Sequence, residues 1–131
     1  MNNSANKQAA LKAYTSLAAG NPGPFLDLLS DEVSITLYGD HRFARTFKGK
    51  NDAQTNLFGP IREVLDGTIR MNVTNVTAEN ETVVVEAQGD ARTKDGRSYK
   101  NTYCFVLRFE NGKITESREH MDTQLVKATF G

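Results

Sequence analysis

The groups in this sequence best suited to chemistry are carboxyl and hydroxyl side chains on segments that read as strands. Glu86 and Glu119 both lie in such segments. A carboxyl turned into an apolar pocket loses solvation in its charged form, so its pKa rises toward neutrality. That pKa suits a general acid or base. Alternation along the two strands leaves both faces open, so either glutamate can face a pocket or solvent.

A third strand-like segment, residues 98–109, has one face that must be covered. Its odd positions carry Tyr99, Asn101, Tyr103, Phe105, Leu107 and Phe109. The amide of Asn101 and the hydroxyls of Tyr99 and Tyr103 need partners if they are buried. Backbone groups would supply them in a closed core, whereas water or a ligand would supply them in a pocket. Asn101 and Tyr103 are therefore candidate ligand contacts.

The remaining reactive side chains form no recognisable site. His41, His120 and Cys104 are far apart in the sequence and have no metal-ligand spacing. No glycine-rich loop precedes a helix in the way that phosphate-binding loops do. The sequence therefore predicts neither a metal site nor a cofactor.

Length and composition limit the class of protein. The 131 residues fit one domain, residues 1–131. Sixteen basic and sixteen acidic residues cancel, which argues against binding to nucleic acid or to an anionic membrane. No apolar run reaches the ~18 residues of a membrane span. Residues 1–7 lack the apolar core of a signal peptide, so we expect a cytoplasmic protein.

Helices are predicted mainly in the first half of the chain. Alanine and leucine spacing predicts a helix over 4–19 with Tyr14 on its apolar face. A second long helix is predicted over 51–65, with Asn51 as its cap and Phe58 facing inward. Gly59-Pro60 should kink or split that helix. Between the two lie a short helix at 25–29, a strand at 33–37 and a loop or irregular strand pair at 39–50.

Strands dominate the second half. They are predicted at 69–73, 82–93, 98–109 and 114–121, with two-residue turns at Asp95-Gly96 and Asn111-Gly112. The order is an α+β domain in which helices pack on one face of an antiparallel sheet.

Several stretches resemble one known family. They are Leu29-Ser30-Asp31-Glu32-Val33, Phe47-Lys48-Gly49-Lys50, residues 95–103 and Phe109-Glu110-Asn111-Gly112-Lys113-Ile114. In these the chain resembles the SnoaL-like, ketosteroid-isomerase-like proteins of the nuclear-transport-factor-2-like superfamily. The resemblance implies a cone, in which a curved antiparallel sheet wraps around N-terminal helices and encloses a deep, largely apolar pocket. Isomerases, polyketide cyclases, dehydratases, epoxide hydrolases and non-catalytic proteins share that fold.

The ketosteroid isomerase pattern is matched at one of three positions. A first-helix tyrosine forms part of the oxyanion hole in those enzymes, and Tyr14 lies near that place. The aspartate base matches Leu37, and the second oxyanion donor matches Phe105. Because two of the three groups are absent, steroid isomerisation is disfavoured.

The epoxide hydrolase and cyclase patterns both select Glu119 as the carboxylate of the last strand. This match also implies that Ser117 and Met121 face inward, with Asp122 as the competing carboxylate. The arginine of the epoxide hydrolase type falls at Glu86 and its other aspartate at Gln88, so the Asp-Arg-Asp arrangement of that type is incomplete in this chain.

Together these observations predict a cofactor-free acid–base enzyme, an isomerase, a cyclase or an epoxide-hydrolase-like protein, with a pocket for a small apolar molecule. Glu119 is the expected acid or base, with Glu86 and Tyr14 assisting. If both glutamates share the pocket, they would titrate as a coupled pair suited to proton shuttling. The expected ligand contacts are Asn101, Tyr103, Phe105, Gln88, Met121, Leu37 and Phe58. A non-catalytic binding module of the same fold is the alternative function.

Self-association is expected for either function. The superfamily commonly forms homodimers through the outer face of the sheet, where Thr102, Cys104 and Val106 lie in this chain.

Overall fold

Two helices begin the part of the chain that the structure, a computed structural model, describes, which is residues 3–131. Helix α1 spans Asn3–Ala18 and helix α2 spans Gly23–Leu28. Ala10 and Tyr14 on α1 are fully buried, as the apolar spacing predicted. Gly20, with a φ of 80°, and the prolines that follow separate the two helices.

A third helical stretch is divided in the way that Gly59-Pro60 predicted. It consists of α3 at Lys50–Ala53, a π turn at Gln54–Phe58 and α4 at Gly59–Val64. The N–H of Gly59 bonds to the carbonyl of Gln54, five residues back, next to a proline that has no N–H. The predicted cap at Asn51 is wrong, because Gly49 takes that position and caps through no side chain.

The strands are β1 at Leu29–Leu37, β2 at Thr46–Lys48, β3 at Arg70–Glu79, β4 at Thr82–Arg92, β5 at Ser98–Tyr99, β6 at Thr102–Glu110 and β7 at Lys113–Met121. They form one sheet in the order β2-β1-β7-β6-β4-β3, and β5 pairs with β4. The pairing is antiparallel except between β1 and β7. The sheet curls into a half-barrel around the helices, which confirms the predicted α+β cone.

The predicted turns behave differently from each other. Asn111 and Gly112 both have positive φ, 51° and 77°, as a two-residue hairpin between β6 and β7 requires. At the other turn only Gly96 has positive φ, and the strand predicted over 98–109 is interrupted between β5 and β6.

A C-terminal helix was not predicted. Helix α5 spans Thr123–Phe130, and the side chain of Asp122 caps it by accepting hydrogen bonds from the N–H groups of Gln124 and Leu125. Val126 and Phe130 on its inner face are buried, so this helix closes one end of the cone.

None of the helices within residues 3–131 is long and apolar enough to cross a membrane.

Candidate functional site

An apolar cavity of about 170 Å³ lies between the inner face of the sheet and the helices. Aromatic and aliphatic side chains form most of its wall, including Phe25, Leu57 and Phe130. The polar side chains in the wall are Tyr14, Arg62, Thr68, Tyr99, Tyr103 and Glu119. Arg62 and the neighbouring Gly67 are exposed, so the cavity opens to solvent between α4 and β3. The space suits a small molecule with a mainly apolar surface.

Glu119 is the carboxyl of this wall. It lies on β7 and lines the cavity, and its side chain accepts a hydrogen bond from the hydroxyl of Ser117 at 3.2 Å. Leu37 on β1 and Phe105 on β6 are its cross-strand neighbours. Burial raises the pKa of Glu119 to about 7, although the hydrogen bond from Ser117 opposes the shift. The carboxyl is therefore present in both protonation states near neutral pH.

Tyr14 faces the same region from α1. Its ring packs against Phe105 at 4.9 Å and against Phe25 at 5.3 Å between ring centroids. Its buried hydroxyl has no hydrogen-bond partner among the described residues. Burial, and secondarily the negative charge of Glu119, raise the pKa of Tyr14 well above its ordinary value. The phenol stays neutral and has a proton to donate.

Asn101 does not line the cavity, contrary to the prediction that it contacts the ligand. Its amide bonds to the backbone of Asp122 twice, accepting from the N–H at 2.9 Å and donating to the carbonyl at 3.0 Å. It also donates to the hydroxyl of Tyr99 at 3.2 Å. Asn101 therefore holds the start of α5, and Asp122, the competing carboxylate, is the cap of that helix.

The structure also corrects the inward placement of Glu86 and Gln88. Both are exposed on the outer face of β4, because the alternate residues Val85 and Ala87 fill the core. Glu86 accepts a hydrogen bond from the amide of Asn75 at 2.9 Å. Among the described residues of the wall, Glu119 has no second carboxyl with which to form a coupled pair.

The other expected contacts are in the wall of the cavity. They are Leu37, Phe58, Tyr103, Phe105 and Met121. The role of each in binding stays a prediction.

Sequence reasoning missed Arg62, Val126 and Phe130 as wall residues and did not select Tyr99 for a role. Tyr99 shares the covered face with Tyr103, which was a usable signal. For α5, Asp122 before a segment with apolar residues four apart was a usable helix signal.

The histidines and the cysteine lie away from this site. The ring of His120 stacks on the ring of Tyr38 on the outer side of the sheet, with 5.0 Å between the ring centroids. Cys104 lies on the same side of the sheet, opposite His120 in the pairing of β6 with β7. Within the described residues, no three His, Cys, Asp or Glu side chains form a group that could hold a metal ion.

The fold is the nuclear-transport-factor-2-like cone, which proteins so described from Burkholderia species share, at 19% identity and TM-scores of 0.82, 0.77 and 0.82. Residues 10–117 match the family model of the SnoaL-like domain. Because this match covers most of the chain, the protein belongs to the SnoaL-like domain family. No curated protein matches the sequence.

Three solved structures illustrate the likeness. Bal32a, from a soil-derived mobile gene cassette, is 21% identical over 98% of each chain, with a TM-score of 0.84. A putative SnoaL-like polyketide cyclase from Jannaschia sp. CCS1 is 15% identical over 98% of this chain and 92% of its own, with a TM-score of 0.79. TerC, co-crystallised with polyporic acid, is 17% identical over 96% of this chain and 98% of its own, with a TM-score of 0.78. At these identities the likeness establishes the fold.

Proposed function

We propose that this protein is an enzyme that performs cofactor-free acid–base chemistry on a small, mainly apolar carbonyl compound. The observation that carries the proposal is Glu119, a carboxyl in an apolar cavity whose pKa is raised to about 7. A general acid or base works best when its pKa lies near the operating pH. Perturbed carboxyls in clefts are also concentrated at functional sites.

The chemistry assigned to Glu119 is proton transfer at carbon. Its ionised form takes a proton from the carbon next to the substrate carbonyl, and negative charge develops on the carbonyl oxygen. The O–H of Tyr14, which has no partner among the described residues, is the donor that we assign to this oxygen. The protonated carboxyl then returns the proton to the same or another carbon.

A mechanism with one carboxyl fits the composition of the wall. Leu37 and Phe105 stand where the resemblance to ketosteroid isomerases implied aspartates, and both flank Glu119. Glu86 lies outside the cavity. One carboxyl that removes and returns a proton is sufficient for an isomerisation or an aldol-type cyclisation. The putative polyketide cyclase among the similar structures supports this range of reactions.

The test uses 1-tetralone, a compact bicyclic ketone, as a probe of enolisation. In D2O the protein should exchange the protons next to the carbonyl for deuterium, which NMR follows directly. Glu119→Gln should slow the exchange about 100-fold or more, since positioned acid–base groups contribute about that much. Glu86→Gln is the matched control, because it makes the same change on the outer face and should leave the rate unaltered.

A second candidate function is ligand binding without catalysis. It is favoured by the two apolar side chains, Leu37 and Phe105, at positions where catalytic groups would otherwise support Glu119. Binding of 1-tetralone without exchange above the rate in buffer would establish this second function and overturn the first.

We also propose that two copies of the chain pair through the outer face of the sheet. Cross-strand pairs place Val84, Val106 and Arg118 in one row there, with Glu86 and Cys104 in the next. A twofold contact is self-complementary, so Arg118 of one copy can meet Glu86 of the other. Light scattering after size exclusion should give a dimer, and Val106→Lys should give a monomer. A wild-type monomer at 100 µM, about the upper range for such measurements, contradicts the pairing.

A further inference from the structure

Tyr99 and Tyr103 form a pair of hydroxyls in the cavity wall. Their oxygens are 3.1 Å apart, which is hydrogen-bond distance, and both side chains line the cavity. Tyr99 also packs against Phe130, and Tyr103 stacks on Phe105, so both rings are fixed by aromatic contacts.

The direction of the hydrogen bonds around this pair follows from Asn101. Its Oδ1 accepts from the N–H of Asp122 and its Nδ2 donates to the carbonyl of Asp122, so the amide has one orientation. The bond from Nδ2 to the hydroxyl of Tyr99 is therefore one that the tyrosine oxygen accepts. Asn101 offers this hydroxyl a proton and takes none from it.

One of the two hydroxyl protons of Tyr99 and Tyr103 has no acceptor among the described residues. The two tyrosines have two hydroxyl protons, and the bond between them uses one. Tyr103 donates to Tyr99, so the proton of Tyr99 is the one left unused. Among the described residues, no other acceptor bonds to either hydroxyl.

We propose that the unused hydroxyl of Tyr99 is a subsite for an acceptor oxygen of the ligand, a carbonyl or enolate oxygen, and that it acts as a second donor to this oxygen beside the O–H of Tyr14. The inference rests on the proposed function, because it takes the cavity to be the ligand site. It adds a requirement on the ligand: an acceptor oxygen must reach the Tyr99–Tyr103 pair. A hydrocarbon of the same shape would leave a buried donor unpaired, which costs binding free energy.

Single and double substitutions of Tyr99 and Tyr103 should affect ligand binding differently. Tyr103→Phe leaves the proton of Tyr99 free, and Tyr99→Phe leaves the proton of Tyr103 free, so each single variant still donates. Only the double variant has no donor. We expect 1-tetralone to bind within about threefold of wild type in each single variant and about tenfold more weakly in the double variant, the loss of one hydrogen bond. Tyr38→Phe, on the exposed outer side, is the matched control.

The infrared stretch of 13C=O-labelled 1-tetralone reports the bond itself. Its frequency in the wild-type and single variants should be lower than in the double variant. The chain has four tyrosines, so 13Cζ labelling gives four NMR signals that the Phe variants assign. The signal of Tyr99 or Tyr103 should move when 1-tetralone binds, a readout that remains if the double variant does not fold.

Two failures are distinguishable. If 1-tetralone binds but neither tyrosine signal moves and the double variant keeps the lowered frequency, the subsite is wrong and the proposed function stands. If the wild-type protein does not bind 1-tetralone at all, the assignment of the cavity to carbonyl compounds fails together with the subsite.

Discussion

Phe105 lies directly across from Glu119 in the pairing of β6 with β7, so the carboxyl has an aromatic ring at its side instead of a polar partner. Leu37 lies opposite on β1, and Tyr14 packs over Phe105. The hydroxyl of Ser117 donates a hydrogen bond to this carboxylate. Burial therefore dominates the electrostatics of Glu119, and its consequences can be measured.

The free energy of unfolding should decrease as pH rises between the ordinary pKa of Glu119 and its pKa in the folded protein. Its pKa is about 7 in the folded protein and 4.5 ordinarily, so the folded state holds the proton more tightly. The stabilisation is complete below pH 4.5 and is lost as pH rises toward 7. The loss is up to ~3 kcal/mol, from about 1.4 kcal/mol per pKa unit. Urea unfolding of wild type and Glu119→Gln across this range isolates the effect.

The variant should lack this slope and should be the more stable protein at pH 8, about one unit above the folded pKa. Glu86→Gln should keep the wild-type slope, since Glu86 is exposed. Parallel slopes for wild type and Glu119→Gln would mean that Glu119 is solvated in the folded protein.

The rate of the exchange reaction should follow the same group. Because the ionised carboxyl is the base, kcat/KM should rise with pH and level off, with its midpoint near the folded pKa of about 7. The measurement is deuterium exchange into 1-tetralone from pH 5 to pH 9, about two units on either side. A midpoint near 4.5, the ordinary value for Glu, contradicts the assignment of the base.

Tyr14→Phe should separate catalysis from stability. The hydroxyl is buried without a partner, so its removal should leave the free energy of unfolding unchanged or raise it by up to ~1 kcal/mol. The same change should slow exchange about 100-fold, as the loss of one oxyanion donor does. Tyr38→Phe is the control for both measurements. An unchanged rate would remove Tyr14 from the mechanism.

The fold could be predicted largely because its signals are local. The turn at Asn111-Gly112 needs positive φ at both positions, and few residue pairs tolerate that. The break at Gly59-Pro60 follows from the missing N–H of proline. Helix α5 has only eight residues, so its local signal, Asp122 followed by Val126 and Phe130, is short, and the helix depends on tertiary contacts of these two side chains for its stability.

The inward face of β7 could not be predicted by alternation, and the physical reason is a bulge. The register between β6 and β7 shifts between Arg108 and Phe109, so Ile114 and Ser117 are both buried although they differ in parity. A bulge inserts one residue and reverses the alternation beyond it. The inward placement of Glu119, which the structure confirms, therefore came from the family resemblance. The inward placement of Glu86 came from the same source and is wrong, because Val85 and Ala87 fill the core on the other face of β4.

Asn101→Leu should destabilise the protein by about 2–4 kcal/mol, the cost of leaving buried polar groups unpaired. Leucine has a similar size but cannot pair with the N–H and carbonyl of Asp122. Urea unfolding checks the value. Asp122→Ala is the comparison, since it removes only the cap of α5 and should cost about 1 kcal/mol. Equal, small losses in both variants would show that Asn101 does not hold this junction.

Gly89→Ala should disturb the cavity through lack of space, since Gly89 does not have positive φ. A Cβ there would lie 2.7 Å from Cε2 of Tyr103 and 2.9 Å from Cγ2 of Ile69, and both side chains line the cavity. We expect a loss of about 1–3 kcal/mol in stability, as for other overpacked cores, together with weaker binding of 1-tetralone. Adding Ile69→Ala removes one of the two contacts and should recover part of the stability. A Gly89→Ala protein as stable as wild type would contradict this prediction. It would mean that the ring of Tyr103 moves aside to make room for the new Cβ, although its hydrogen bond to Tyr99 and its stacking on Phe105 hold it in place.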